Sequence, residues 1–130
     1  MSEKLTELLL AKEGFEQGIP AQQKIITEAE KKLGLVFSRE YKDYLYEFGS
    51  VSYRGHILTG ISPFPGIDVV KVTNDARRYN TEINNSLYVI EEVNIDGIVI
   101  WQDDSGAVFQ TMPGSKPVKI ADSLYDYLQA

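Results

Sequence analysis

The chain has no cysteine, one histidine (His56) and one tryptophan (Trp101). Without thiols there are no disulfides and no cysteine-ligated metals. A lone histidine, with no helical His pair, argues against a zinc site. No apolar run approaches the roughly 18 residues that a transmembrane helix needs, so no membrane partner is expected. Lys and Arg number 13 against 19 Asp and Glu, giving a net charge of −6 and a pI near 4.8. That balance argues against direct nucleic-acid binding, because affinity for phosphate backbones comes from clustered cations. A glycine-rich phosphate loop, a Gly-x-Ser-x-Gly elbow and a dinucleotide fingerprint are all missing, so no cofactor is expected. The N-terminus is acidic and amphipathic and does not read as a secretion leader, which makes a cytoplasmic location the expectation.

What is present reads as one domain over 1–130. The chain is 130 residues long and 43% hydrophobic. A chain of that length buries roughly two thirds of its unfolded surface on folding. Leu87 to Thr111 organises the rest. Leu87–Val93 is followed by a turn at Asn94–Gly97, then by Ile98–Gln102, a turn at Asp103–Gly106, and Ala107–Thr111. Runs rich in β-branched and aromatic residues, cut by Asp-Gly and Asp-Ser-Gly, predict an antiparallel meander. Alternation puts Leu87, Val89 and Val93 on one face, with Glu91 breaking that series. Val99 and Trp101 share a face, as do Ala107 and Phe109, while Glu92 and Gln102 fall at strand ends. One sheet face is expected to be buried and the other at least partly wet.

Helical spacing brackets the meander. Residues 2–12 place Leu5, Leu8 and Leu9 on one face, with Ser2 as cap and Gly14 as terminator. Phe15–Ala21 reads as a loop broken by Gly18 and Pro20. From Gln22, Ile25, Ile26, Ala29 and Leu33 form a stripe that closes at Gly34. Ser38 is an N-cap for a helix carrying Tyr41, Tyr44, Leu45 and Phe48, and Gly49 suits its end. The cluster of Tyr41, Tyr44 and Tyr46 fits core packing with hydroxyls reaching the surface; an aromatic ligand platform is the alternative. Val51–Ile61 reads as strand and turn, with Gly55 and Gly60 marking a hairpin, bend or bulge. Ser62–Gly66 is a loop. Residues 68–80 are ambiguous by propensity, but the Asp68 cap and the spacing of Val69, Val72, Ala76 and Tyr79 favour a helix. A strand at Val118–Ala121 and a last helix, capped by Asp122 and carrying Leu124, Tyr125 and Leu128, complete the chain. The predicted class is α+β: an antiparallel sheet of about four to six strands, with N-terminal, middle and C-terminal helices packed against it.

Catalytic chemistry finds little purchase. His56 is a candidate general base, but such a role needs an orienting partner and a nucleophile. Asp103-Asp104-Ser105-Gly106 lacks the alternating oxygen ligands and terminal glutamate of a calcium loop, and reads as a hairpin turn. Asn84-Asn85-Ser86 matches a glycosylation acceptor, without a secretion signal to give it force. Glu91 and Glu92 point to opposite faces and make a poor acid/base pair. No catalytic residue, metal or cofactor is assigned, and binding is favoured over catalysis.

One longer pattern adds to this reading. Ile25/Ile26-x-x-Ala29-Glu30-x-x-Leu33-Gly34-x-x-Phe37-Ser38-x-x-Tyr41-x-x-Tyr44-Leu45-x-x-Phe48-Gly49 resembles the opening of the SUKH superfamily. That superfamily groups bacterial immunity proteins with yeast cell-wall-assembly regulators of the Smi/Knr type. Gly55 and Gly60, the Asp68–Arg77 segment, the Asp96-Gly97 and Asp104–Gly106 turns and the Ala121–Leu128 segment continue the likeness over about 22–128. Phe37-Ser38 stands where the family usually has Leu-Pro, and Phe48-Gly49 where it has Asn-Gly.

The resemblance implies an immunity protein whose partner is a basic toxin domain, a nuclease in many relatives. An acidic inhibitor can occupy a phosphate-binding surface and speed association by electrostatic steering. Partner contacts are expected from acids and aromatics near the strand turns: Glu91, Glu92, Asp96, Asp103 and Asp104, with Tyr53, Arg54 and His56 as anchors. An intracellular scaffold or regulator like the yeast relatives is the alternative, and a hydrolase using His56 the third. The expected state is a monomer or weak dimer.

Overall fold

The computed structural model describes residues 3–129. Five helices, α1 (Glu3–Leu10), α2 (Gln23–Leu33), α3 (Arg39–Phe48), α4 (Val69–Tyr79) and α5 (Leu124–Gln129), accompany seven strands. These are β1 (Glu16–Gln17), β2 (Val51–Tyr53), β3 (His56–Leu58), β4 (Tyr88–Glu92), β5 (Val99–Gln102), β6 (Val108–Thr111) and β7 (Val118–Ala121). The strands form one antiparallel sheet in chain order, β1 to β7. The fold is α+β, with a strand count slightly above the expected range. The additional strand is β1, a two-residue edge piece inside the segment expected to be loop.

Most helix signals hold. Ser38 Oγ accepts from Tyr41 N–H at 3.0 Å and Asp68 Oδ2 from Lys71 N–H at 3.3 Å. Gly34 closes α2 in the left-handed conformation. Gly49 ends α3 at φ 75°, and a Cβ there would run into the Ile19 carbonyl. The last helix is capped differently from expectation: Ser123 Oγ accepts from Asp126 N–H at 2.9 Å, while Asp122 pairs with Lys119 at 2.7 Å. Tyr79 is exposed, off the apolar stripe of α4. The expected Ser2 cap lies outside the described residues.

The sheet is buried on both faces at its centre, not on one. On the first face Tyr88, Ile100 and Val108 join the main core with Leu9, Ile26, Tyr41, Leu45 and Leu124. On the second, Val89, Val99 and Trp101 pack against Val72 and Ala76 of α4, with Phe109 beside them. A register slip between Val89 and Glu91 redirects the end of β4. After it Glu91 pairs with Ile100 on the first face and Glu92 with Val99 on the second. Val93 accordingly packs on the main core, away from Val89. The slip is a β-bulge, and simple alternation cannot see one.

Most buried polar side-chain atoms are paired; Asp43 Oδ2 and Arg77 Nε are not. Tyr44 OH donates to Thr59 O at 2.7 Å, and Tyr41 OH lies 2.8 Å from Thr59 Oγ1, which itself donates to Val89 O. The hydroxyls of Tyr41 and Tyr44 therefore end in the core and not at the surface; of the three tyrosines of that cluster Tyr46 alone is exposed. Gln102 is wholly buried. It accepts from Ser38 Oγ and Tyr88 OH and donates to Glu40 Oε1 and Gly106 O. Glu40 then takes the first amides of α5, Leu124 N–H at 2.7 Å and Tyr125 N–H at 2.9 Å.

Candidate partner-binding surface

The β2–β3 hairpin presents a different site on each face. Its register pairs Tyr53 with His56, Ser52 with Ile57 and Val51 with Leu58. Leu58 pairs with Glu91, so Tyr53, His56 and Glu91 share the first face. Ser52 and Ile57 share the second.

On the first face a cavity of about 170 Å³ is lined by Lys12, Tyr53, His56, Glu91, Tyr127 and Leu128. Glu91 is only 3% exposed, contrary to its expected place among the surface acids. Its two oxygens are taken: Tyr127 OH donates to Oε1 at 2.6 Å, and His56 Nδ1 lies 2.9 Å from Oε2. A buried carboxylate persists only with such partners. His56 stacks on Tyr53 at 4.9 Å and remains half exposed. Lys12 Nζ sits 5.2 Å from the Tyr53 ring centre and donates to Leu128 O at 2.9 Å. Burial, and then the Glu91 charge, push the Tyr53 hydroxyl up to about 12. Tyr127 is raised by burial and by its hydrogen bond to Glu91.

An imidazole held by a carboxylate has the orientation a general base requires. The residues around it provide no serine or threonine to act on. Nor does any group of three or more His, Asp or Glu among the described residues suit a metal ion.

The second face carries a larger feature. α4 covers this face over the central strands and leaves β1–β3 bare. Above the bare part runs the 61–67 segment, tied down by Ile61 N–H to Gly49 O at 2.9 Å and Ser62 N–H to Asp68 Oδ1 at 3.3 Å. Between sheet and segment lies an open, mostly apolar cleft of about 530 Å³. Ile19, Ile57 and Phe64 on its walls are 80%, 53% and 69% exposed. Apolar side chains that open and that close together mark an interaction surface.

The expected contact residues thus divide. Tyr53, His56 and Glu91 meet in the small cavity, with Arg54 at the adjoining turn paired to Glu13. Glu92 lies on the cleft side. Asp96 is exposed in the β4–β5 turn, at the same end of the sheet as Arg54, since alternate hairpin turns of a meander share an end. Asp103 and Asp104 occupy the β5–β6 turn at the opposite end, so the eight do not form one patch. Asp103 is also engaged in its own turn, accepting from Ser105 N–H and Ala107 N–H. The cleft itself was missed. Its one local hint was Phe64 standing between Pro63 and Pro65, an aromatic in a loop with no helix or strand to bury it.

A sheet with helices on both faces and an uncovered apolar cleft at one end defines an α+β domain. The family SUKH_6, SMI1-KNR4 cell-wall, matches residues 23–128, and the chain belongs to it. No curated protein matches the chain significantly. No helix among the described residues is long and apolar enough to cross a membrane.

Proposed function

We propose that this protein is a cytoplasmic immunity protein that binds a cognate polymorphic toxin, a nuclease, and neutralises it by occluding its active surface. The observation that carries the reading is the solvent-open cleft, with Ile19, Ile57 and Phe64 exposed beside the hairpin of a molecule of net charge −6. Family membership and charge support it. A nuclease presents positive charge to phosphates, and an acidic binder is steered to that charge. On this reading the protein makes and breaks no covalent bonds, so there is no turnover for His56→Ala to abolish; a loss of turnover would favour a hydrolase instead. A cell-wall regulator or scaffold is the second reading, favoured by the family's SMI1-KNR4 cell-wall description.

The test is co-expression with a polymorphic toxin encoded beside the gene, where the genome carries one. Restored growth is expected, and absence of rescue overturns the reading. Association with the toxin domain is expected to slow steeply as salt rises. A salt-independent on-rate removes electrostatic occlusion as the mechanism.

A further inference from the structure

The cleft does not stop at the hairpin. Ile57 and Ile67 also line a smaller recess of about 60 Å³ that ends on Glu92 and Asn94. Cleft and recess together hold two carboxylates, Glu16 at one end and Glu92 at the other, and no lysine or arginine. Among the described residues Glu92 has no ion-pair partner, whereas the neighbouring Asp75 has Lys71. Burial, and then the Asp75 charge, hold the Glu92 carboxyl above the usual range. A cation delivered there relieves both effects.

We infer that the cleft takes an extended segment of a basic partner protein, with apolar side chains seated over Ile57 and Phe64 and a lysine or arginine set against Glu92. An extended chain repeats its side-chain direction every second residue. The segment therefore reads apolar-x-apolar-x-Lys/Arg. A second copy of this chain fits poorly, because it would bring another molecule of net charge −6 against Glu16 and Glu92. The inference takes from the proposed function only that the partner is a basic protein.

The experiment titrates the isotope-labelled full chain with a short blocked peptide carrying the motif, Leu-Ser-Leu-Ser-Lys, and with its counterpart ending in glutamate, Leu-Ser-Leu-Ser-Glu. Amide shifts are expected at Glu16–Ile19, Ser52, Ile57, Ile61, Ser62, Phe64, Gly66, Ile67 and Glu92, from the lysine peptide alone. Phe64→Asp is expected to weaken binding about tenfold or more, as loss of an anchor does. Glu92→Gln, which keeps the shape, should weaken it severalfold and flatten its salt dependence. Phe64 is exposed enough for its variant to fold, which a thermal melt checks. The inference is overturned by shifts scattered over the acidic surface, by equal binding of the glutamate peptide, or by self-association of the chain that Phe64→Asp abolishes. Full rescue from the toxin by Phe64→Asp also overturns it, while leaving immunity standing. Peptide binding in the cleft without toxin rescue supports it and removes immunity.

Discussion

Gln102 shows how much one side chain can hold. Both ends of its amide are used, by α3 through Ser38 and Glu40, by β4 through Tyr88, and by the β5–β6 turn through Gly106. Gln102→Ala takes away the acceptor shared by the buried hydroxyls of Ser38 and Tyr88, and one of the two donors to Glu40 Oε1, which keeps Leu124 N–H. A loss of about 3 kcal/mol is expected, since buried polar groups left unpaired cost more than the bonds they formed. Urea unfolding measures it. A loss near zero would mean that water enters and replaces the amide. From composition alone Gln102 was a polar residue at a strand end. Its burial depends on α3 lying across the sheet there, and no local pattern encodes that.

At the scale of elements, α5 is too short to persist by itself. Its first two amides are bound by Glu40 of α3, and Ser123 serves the third turn position. Glu40→Ala is expected to cost about 1–2 kcal/mol as a lost cap. Hydrogen exchange should accelerate at Leu124 and Tyr125 before it does in the sheet. Because α5 carries Tyr127, the same change loosens the hold on Glu91 and opens the cavity around His56. Exchange at α5 that stays as slow as in the sheet would show the helix held by packing of Leu124 and Leu128 instead. The helices themselves were legible: Ser38, Asp68 and Gly34 stand where capping chemistry predicts, and the 69–79 ambiguity resolves toward helix. The end of β4 was not. The bulge after Val89 sends Glu91 inward and Glu92 toward the cleft, so Glu91 is not the exposed turn acid that the contact list expected.

Over the whole molecule the titratable load is phenolic. Tyr53 is pushed from an ordinary value of 10.0 up to about 12, and burial raises Tyr41, Tyr44, Tyr88 and Tyr127 as well. Each is protonated in the folded state and ionises near its ordinary value in the unfolded chain. The unfolded state therefore releases protons first. The contribution of these phenols to stability is full below about pH 10 and falls as pH climbs from there through 12, where unfolding proceeds with proton release. Urea midpoints at stepped pH check this, with tyrosinate absorbance followed in parallel. Tyrosinate appearing well below pH 10 without unfolding would contradict the burial of these rings.

What the amino-acid order determined by itself is the set of elements: helix stripes, caps, turns and a meander, because these depend on neighbours within one or two turns of chain. It also determined the acidic charge and the SUKH likeness, both carried by residue type and spacing. The tertiary structure alone decided which surfaces meet and which stay bare. Glu91 reaches Tyr127, and Gln102 reaches Glu40, across separations that only folding closes. The cleft exists because α4 is eleven residues long and covers the centre of the sheet, leaving the β1–β3 end uncovered. An absence of cover is a property of how layers overlap, and no single stretch of sequence holds it.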